Sequence, residues 1–192
     1  MLPVEVLAIV LTLTQGCPSE GQDCPQLDPK NVTCACKFGG LEVTTASGVV
    51  IKDENCNSMQ NKNEFKRMPQ VRMARAKCAK TYALFVLDPD VPGYPRGNFY
   101  NHLVLGNLAG EEVKDGTLGN GTTALCYNGP DPPPTTGTHR YMFLLYEQPQ
   151  PNVTLKEIPD EKRANWSLAT YLAEQQTRLC GPVGGTQFRT KA

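Results

Sequence analysis

TYALFVL at residues 81–87 and YMFLLY at residues 141–146 decide the fold. A strand with one wet face alternates apolar and polar residues, whereas these runs are apolar almost without interruption over strand length. Such runs belong to strands covered on both faces, in the middle of a sheet. Working outward, shorter apolar stretches at 41–45, 49–52, 70–73, 102–107 and 123–127 read as further strands, separated by turn signals drawn from 17 Gly and 16 Pro. One helix is expected in NWSLATYLAEQQ, residues 165–176, with Ser167 as N-cap and Leu168, Tyr171 and Leu172 at helical spacing; Gly181 and Pro182 close that region. The expected class is therefore mostly β, with a short helix near the carboxyl end.

The 192 residues carry 19 basic and 19 acidic side chains, so the net charge is zero. That balance leaves no electrostatic footprint for nucleic acid. The apolar run at 2–14 is too short to span a bilayer and, with small residues before Cys17, reads as a signal peptide at 1–16. A Cys-rich arm at 17–40 and a body at 41–192 follow. Cys17, Cys24, Cys34, Cys36, Cys56, Cys78, Cys126 and Cys180 are even in number and lack zinc-site spacing, so bridges of undetermined pairing are expected. Sequons at Asn31, Asn120, Asn152 and Asn165 agree with a secreted, extracellular glycoprotein.

Two segments exceed what a plain β domain needs. LDPDVP, residues 87–92, leaves the first core run and leads to Phe99, Tyr100 and His102; YNGPDPPPTTGTHRY, residues 127–141, delivers His139, Arg140 and Tyr141 onto the second. The chain has only two histidines, and each opens an expected core strand beside an aromatic residue. Asp88 and Asp90 can hold an imidazole N–H in one tautomer, leaving the other ring nitrogen to donate to an oxyanion. Proline-stiffened loops lower the entropy lost on ordering around a ligand, and a cis X-Pro bond fits so dense a turn. Neither HExxH, GxSxG nor a phosphate-binding P-loop is present, so the expectation is a binding protein without catalytic residues, metal or cofactor; a phosphohydrolase is the weakest reading.

DPDVP, the step from Tyr100 to His102 and GPDPPPTTGTHRY resemble the two signature regions, DPDxP and GPxPPxGTGxHRY, of the phosphatidylethanolamine-binding proteins. The resemblance continues through FLLYEQ and GPVGGTQF and spans roughly residues 41–188; the early cysteines and GLEV followed by Cys56 are most similar to a secreted branch. It implies a β-sandwich with a large central antiparallel sheet, a smaller sheet and a small anion pocket at the edge. The implied ligand is phosphate or a phospholipid head group such as phosphatidylethanolamine. Asp88, Asp90, Tyr100, His102, Pro132, Pro133, His139 and Tyr141 would line that pocket, while Arg140 would point away and tie the loop down. Asp131 stands where a small residue is common, and an acid there would repel an anion. A shortened interval before His102 puts Tyr94 or Phe99 at the mouth, and the chain stops at Ala192, where well-known members continue into a helix over the pocket; an open site is expected. Relatives that inhibit proteases or regulate protein partners supply the alternative, with an extracellular protein as partner.

Overall fold

A computed structural model describes residues 27–119 and 121–192. The expected signal peptide, Cys17, Cys24 and the sequon at Asn120 lie outside the described residues. The strands are β1 (Glu42–Thr44), β2 (Val50–Ile51), β3 (Gln70–Arg72), β4 (Thr81–Asp88), β5 (Asn98–Ala109), β6 (Thr122–Leu125), β7 (Thr138–Gln148), β8 (Trp166–Ser167) and β9 (Cys180–Lys191). Two helices join them, α1 (Gly110–Asp115) and α2 (Leu168–Glu174).

The large antiparallel sheet has the order β6-β5-β4-β7-β9, with β8 pairing the start of β5, and the small sheet has the order β2-β1-β3. β4 is thus the middle strand, and its side chains divide between two cores. Ala83, Phe85 and Leu87 pack with Leu155, Leu168 and Tyr171 on one face, while Tyr82, Leu84 and Val86 meet Val43, Ile51 and Val71 of the small sheet on the other. β7 divides in the same way, Met142, Leu144 and Tyr146 against Tyr141, Phe143 and Leu145. Each unbroken apolar run is therefore two stripes of period two, both covered. Full burial of one such Leu or Phe contributes roughly 2 kcal/mol.

The helix in 165–176 forms at Leu168–Glu174, with the Ser167 side chain accepting from the Thr170 amide and Leu168 and Tyr171 buried. β5 begins at Asn98 rather than His102, because β8 supplies a partner through Asn98↔Ser167 and Phe99↔Trp166. Phe99 is consequently buried in the core and not at the pocket mouth. Gly181 and Pro182, expected to close the helical region, instead lie inside the 12-residue β9, which carries GPVGGTQF and pairs along β7 from Thr138↔Lys191 to Glu147↔Cys180. Its glycines serve close approach: a Cβ on Gly185 would stand 2.7 Å from the Ala35 carbonyl oxygen. The cis X-Pro bond falls at Gly181–Pro182, not in the proline run.

The bridges also need correction. Cys36 and Cys56 form a disulfide, and Cys180 is disulfide-bonded, but Cys34, Cys78 and Cys126 carry free thiols. A bridge needs Cα atoms within about 7 Å. Cys34 precedes the turn at 35–37, Cys78 lies in the loop before β4 and Cys126 follows β6, three separate places in the fold. No helix among the described residues is long and apolar enough to cross a membrane.

Candidate functional site

The antiparallel order brings the two loops together. β4 ends where both neighbours begin, so Asp88 sits opposite Tyr100 on β5, and Leu87 opposite Met142 on β7. On either side of that end stand the two histidines. Asp88, Tyr100, His102, Pro132, Pro133, His139 and Tyr141 all line one cavity of about 400 Å³. Val91, Tyr94, Asn128, Gly129 and Asp131 complete it.

His139 is fully buried and both its ring nitrogens are engaged. Nδ1 donates to Asp88 Oδ2 at 2.7 Å, and Nε2 lies 2.8 Å from Thr136 Oγ1. That hydroxyl gives its single hydrogen to the Pro133 carbonyl at 2.8 Å, so toward His139 it accepts. The other oxygen of Asp88 accepts from the Asp90 amide. Burial pushes the Asp88 carboxyl above its ordinary range, against the opposing pull of these hydrogen bonds. The result is a latch joining the end of β4 to the start of β7 and to the proline loop.

His102 is held differently. Its Nδ1 lies 2.6 Å from the Asn128 carbonyl oxygen, which can only accept, so Nδ1 carries the hydrogen. The Asn128 amide donates back to the His102 carbonyl, and the Asn128 side chain donates to the Tyr100 hydroxyl. The His102 ring packs 4.9 Å from Tyr100 and 5.0 Å from Tyr141, centroid to centroid. Burial, then the charges of Arg163 and His139, lower the His102 pKa to about 4 against the partial compensation of the Asn128 bond. At neutral pH the ring is neutral.

Asp90 departs from the expected arrangement. It does not hold a histidine and does not line the cavity; its carboxylate takes the Arg140 amide, Nε and Nη2. Burial alone would raise its pKa, but the Arg140 bonds outweigh that and hold it low. Arg140 also donates to the Thr33 carbonyl, so it points out of the pocket and ties the loop to the amino-terminal segment. The aspartates separate because residue 88 ends the strand facing inward, whereas residue 90 has turned past Pro89 toward the edge.

Asp131, read as a source of repulsion, is exposed at the rim and paired with Lys62 Nζ at 2.8 Å. Gly129 lets this loop lie on the turn at 62–65, since a Cβ there would stand 3.0 Å from Phe65 O and Lys66 Cα. Tyr127 adds a bond to the Phe65 carbonyl. Asn128 and Thr136, the partners that orient the histidines, were not among the expected site residues. Both bind through loop geometry that adjacent motif letters do not spell. Among the described residues no cluster of His, Cys, Asp and Glu could hold a metal ion.

Residues 43–179 match the family described as phosphatidylethanolamine-binding protein. Among solved structures, the chain is similar to a phosphatidylethanolamine-binding protein from Plasmodium vivax, with 22% identity and a TM-score of 0.60 over 79% of this chain and 84% of that one. It is similar also to a carboxypeptidase Y inhibitor complexed with its cognate proteinase, with 21% identity and a TM-score of 0.58 over 81% and 84%. At such identities the likeness carries the fold: a large and a smaller antiparallel sheet with a short carboxyl-terminal helix. Because the family match spans most of the chain and both signature loops meet in one cavity, this protein belongs to the phosphatidylethanolamine-binding protein family, whose members bind ligands rather than transform them.

Proposed function

We propose that the cavity between the two loops captures the phosphoryl group of a small anion, either inorganic phosphate or a phospholipid head group such as phosphatidylethanolamine, and that the protein works outside the cell. The observation that carries this reading is the convergence of Tyr100, His102 and Tyr141 at a cavity whose wall is fixed by the Asp88–His139 latch. The Tyr100 hydroxyl accepts from Asn128, which leaves its own hydrogen for a ligand oxygen. Walls already fixed by proline and by buried hydrogen bonds lower the ordering cost of binding. The Cys36–Cys56 disulfide and the exposure of Asn31, Asn152 and Asn165 support an oxidising, glycosylating route.

Calorimetric titration with inorganic phosphate and phosphorylethanolamine tests the reading. Saturable binding is expected, weakened about tenfold or more in Tyr100→Phe, which removes one hydroxyl and keeps the ring. Silence toward both ligands would overturn the pocket and move the search to protein partners.

A further inference from the structure

Asn165 stands immediately before β8, and all three residues of its sequon, Asn165, Trp166 and Ser167, line one cavity of about 340 Å³. Consecutive residues of an extended strand point to opposite faces. The left-handed backbone of Asn165, with φ 52°, breaks that alternation, so Asn165 and Trp166 flank the same hollow. The Asn98 side chain holds the asparagine in place: its Nδ2 donates to Asn165 Oδ1 at 2.8 Å and to the Asn165 carbonyl oxygen at 3.0 Å. Nδ2 of Asn165, the atom that bears the sugar in a used sequon, has no partner among the described residues, and the residue is exposed.

The lining of this cavity has the chemistry of a sugar site. Trp166 and Tyr171 both belong to it, with ring centroids 5.1 Å apart, and Trp166 is only half-buried. A half-buried indole offers a broad apolar surface to the C–H face of a pyranose ring. Polar groups accompany the rings. Ser167 Oγ accepts from the Thr170 amide and hydroxyl, which leaves its own hydrogen for a ligand oxygen. Lys156 and Glu174, also in the lining, pair with each other at 2.6 Å, so an uncharged polyol meets donors and acceptors without an unbalanced charge. The volume and the mixture of aromatic faces with a few polar groups match small-molecule sites, which run to roughly 300–1,000 Å³.

We infer that Asn165 carries an N-linked glycan whose first N-acetylglucosamine lies in this cavity against Trp166. The transfer forms a bond from Asn165 Nδ2 to the anomeric carbon of that sugar and breaks the bond from the same carbon to the diphosphate oxygen of a polyprenyl-linked oligosaccharide donor. The amide gives up one proton and the polyprenyl diphosphate leaves. The linked amide keeps its oxygen, so both Asn98 bonds survive the modification. This inference rests on the reading that the protein works outside the cell, and it adds a modification site, a ligand class and a structural duty for the sugar, which is to cover aromatic surface that the bare chain leaves open.

The full-length chain, expressed in cultured mammalian cells held at the high-mannose stage, provides the test. Glycopeptide mass spectrometry of the secreted wild-type protein should find Asn165 occupied. Trp166 is the one tryptophan of the chain, so tryptophan fluorescence reports on this cavity alone. In a variant carrying Asn31→Gln, Asn120→Gln and Asn152→Gln, an endoglycosidase that leaves the single innermost N-acetylglucosamine should not change acrylamide quenching of Trp166. A parallel sample stripped of the whole glycan by an amidase should be quenched about twofold more strongly, to the level of Asn165→Gln, because a ring face is uncovered. Secreted protein with Asn165 bare would overturn the inference and leave the extracellular reading standing. Equal quenching in the trimmed and stripped samples would overturn the seating of the sugar on Trp166. Protein retained inside the cells without sugar on any sequon would overturn the extracellular reading itself, a distinct outcome.

Discussion

His139 and His102 occupy matching places, one near the start of each strand that flanks β4, yet they are built for opposite purposes. His139 spends both nitrogens inside the protein, on Asp88 and Thr136, and is fully buried. His102 spends one nitrogen on Asn128 and lines the cavity with the other uncommitted among the hydrogen bonds described. The difference teaches that residue type and position in a motif do not assign a role; the partners on each ring atom do. In the proposed function His139 is a positioning residue, and His102 is the ring offered to the ligand.

The largest expected effect lies on the latch. His139→Ala leaves Asp88, 2% exposed, as a buried carboxylate without its partner, which costs about 3–5 kcal/mol in comparable cases. Urea denaturation should show this loss. Adding Asp88→Asn should recover much of it, since the uncompensated charge is gone, so the two effects should be strongly non-additive. Simple additivity would break the latch account and put the two histidines on an equal footing.

Next comes the acid limb of stability. The folded state holds His102 at about 4, below the ordinary 6.5, so between those values the unfolded chain takes up a proton that the folded chain refuses. Stability should fall as pH drops through that window, by up to about 1.4 kcal/mol per pH unit and roughly 3 kcal/mol in all. His102→Gln should lack this contribution when denaturation curves at pH 7 and pH 4.5 are compared. Equal acid losses in wild type and variant would show that the ring is not kept neutral.

The smallest effect concerns Asp90. Asp90→Asn removes a partly exposed clamp on Arg140 and should cost about 1–2 kcal/mol, while phosphate affinity stays within about twofold because Asp90 does not line the cavity. A large loss of affinity would restore Asp90 to the site.

These contrasts also mark what the sequence could carry. β4 and β7 were legible because two covered faces leave an apolar residue at nearly every position. β9 was not, because Gly181, Pro182, Gly184 and Gly185 read locally as chain punctuation. Only the packed partner shows that Gly185 is small to admit the Ala35 carbonyl. The two loops stood out in the sequence, and most cavity residues followed from their resemblance to the family's signature regions. Asp88 and Asp90 looked interchangeable in Asp-Pro-Asp; their separation depends on Arg140 and His139, about fifty residues away, which no local pattern encodes. Asn128 and Thr136 escaped for the same reason. The free thiols of Cys34, Cys78 and Cys126 show that an even count of cysteines does not place sulfurs opposite one another.

The central claim is that a phosphate-bearing ligand is received by His102 while His139 only holds the wall. Long-range proton–nitrogen NMR of the two imidazoles, followed through a titration with inorganic phosphate at pH 6, tests it most directly. The account predicts a saturable movement of His102 Nε2, with Nδ1 still protonated and both nitrogens of His139 nearly stationary. Saturable movement at His139 with His102 silent, or silence at both rings, would contradict it.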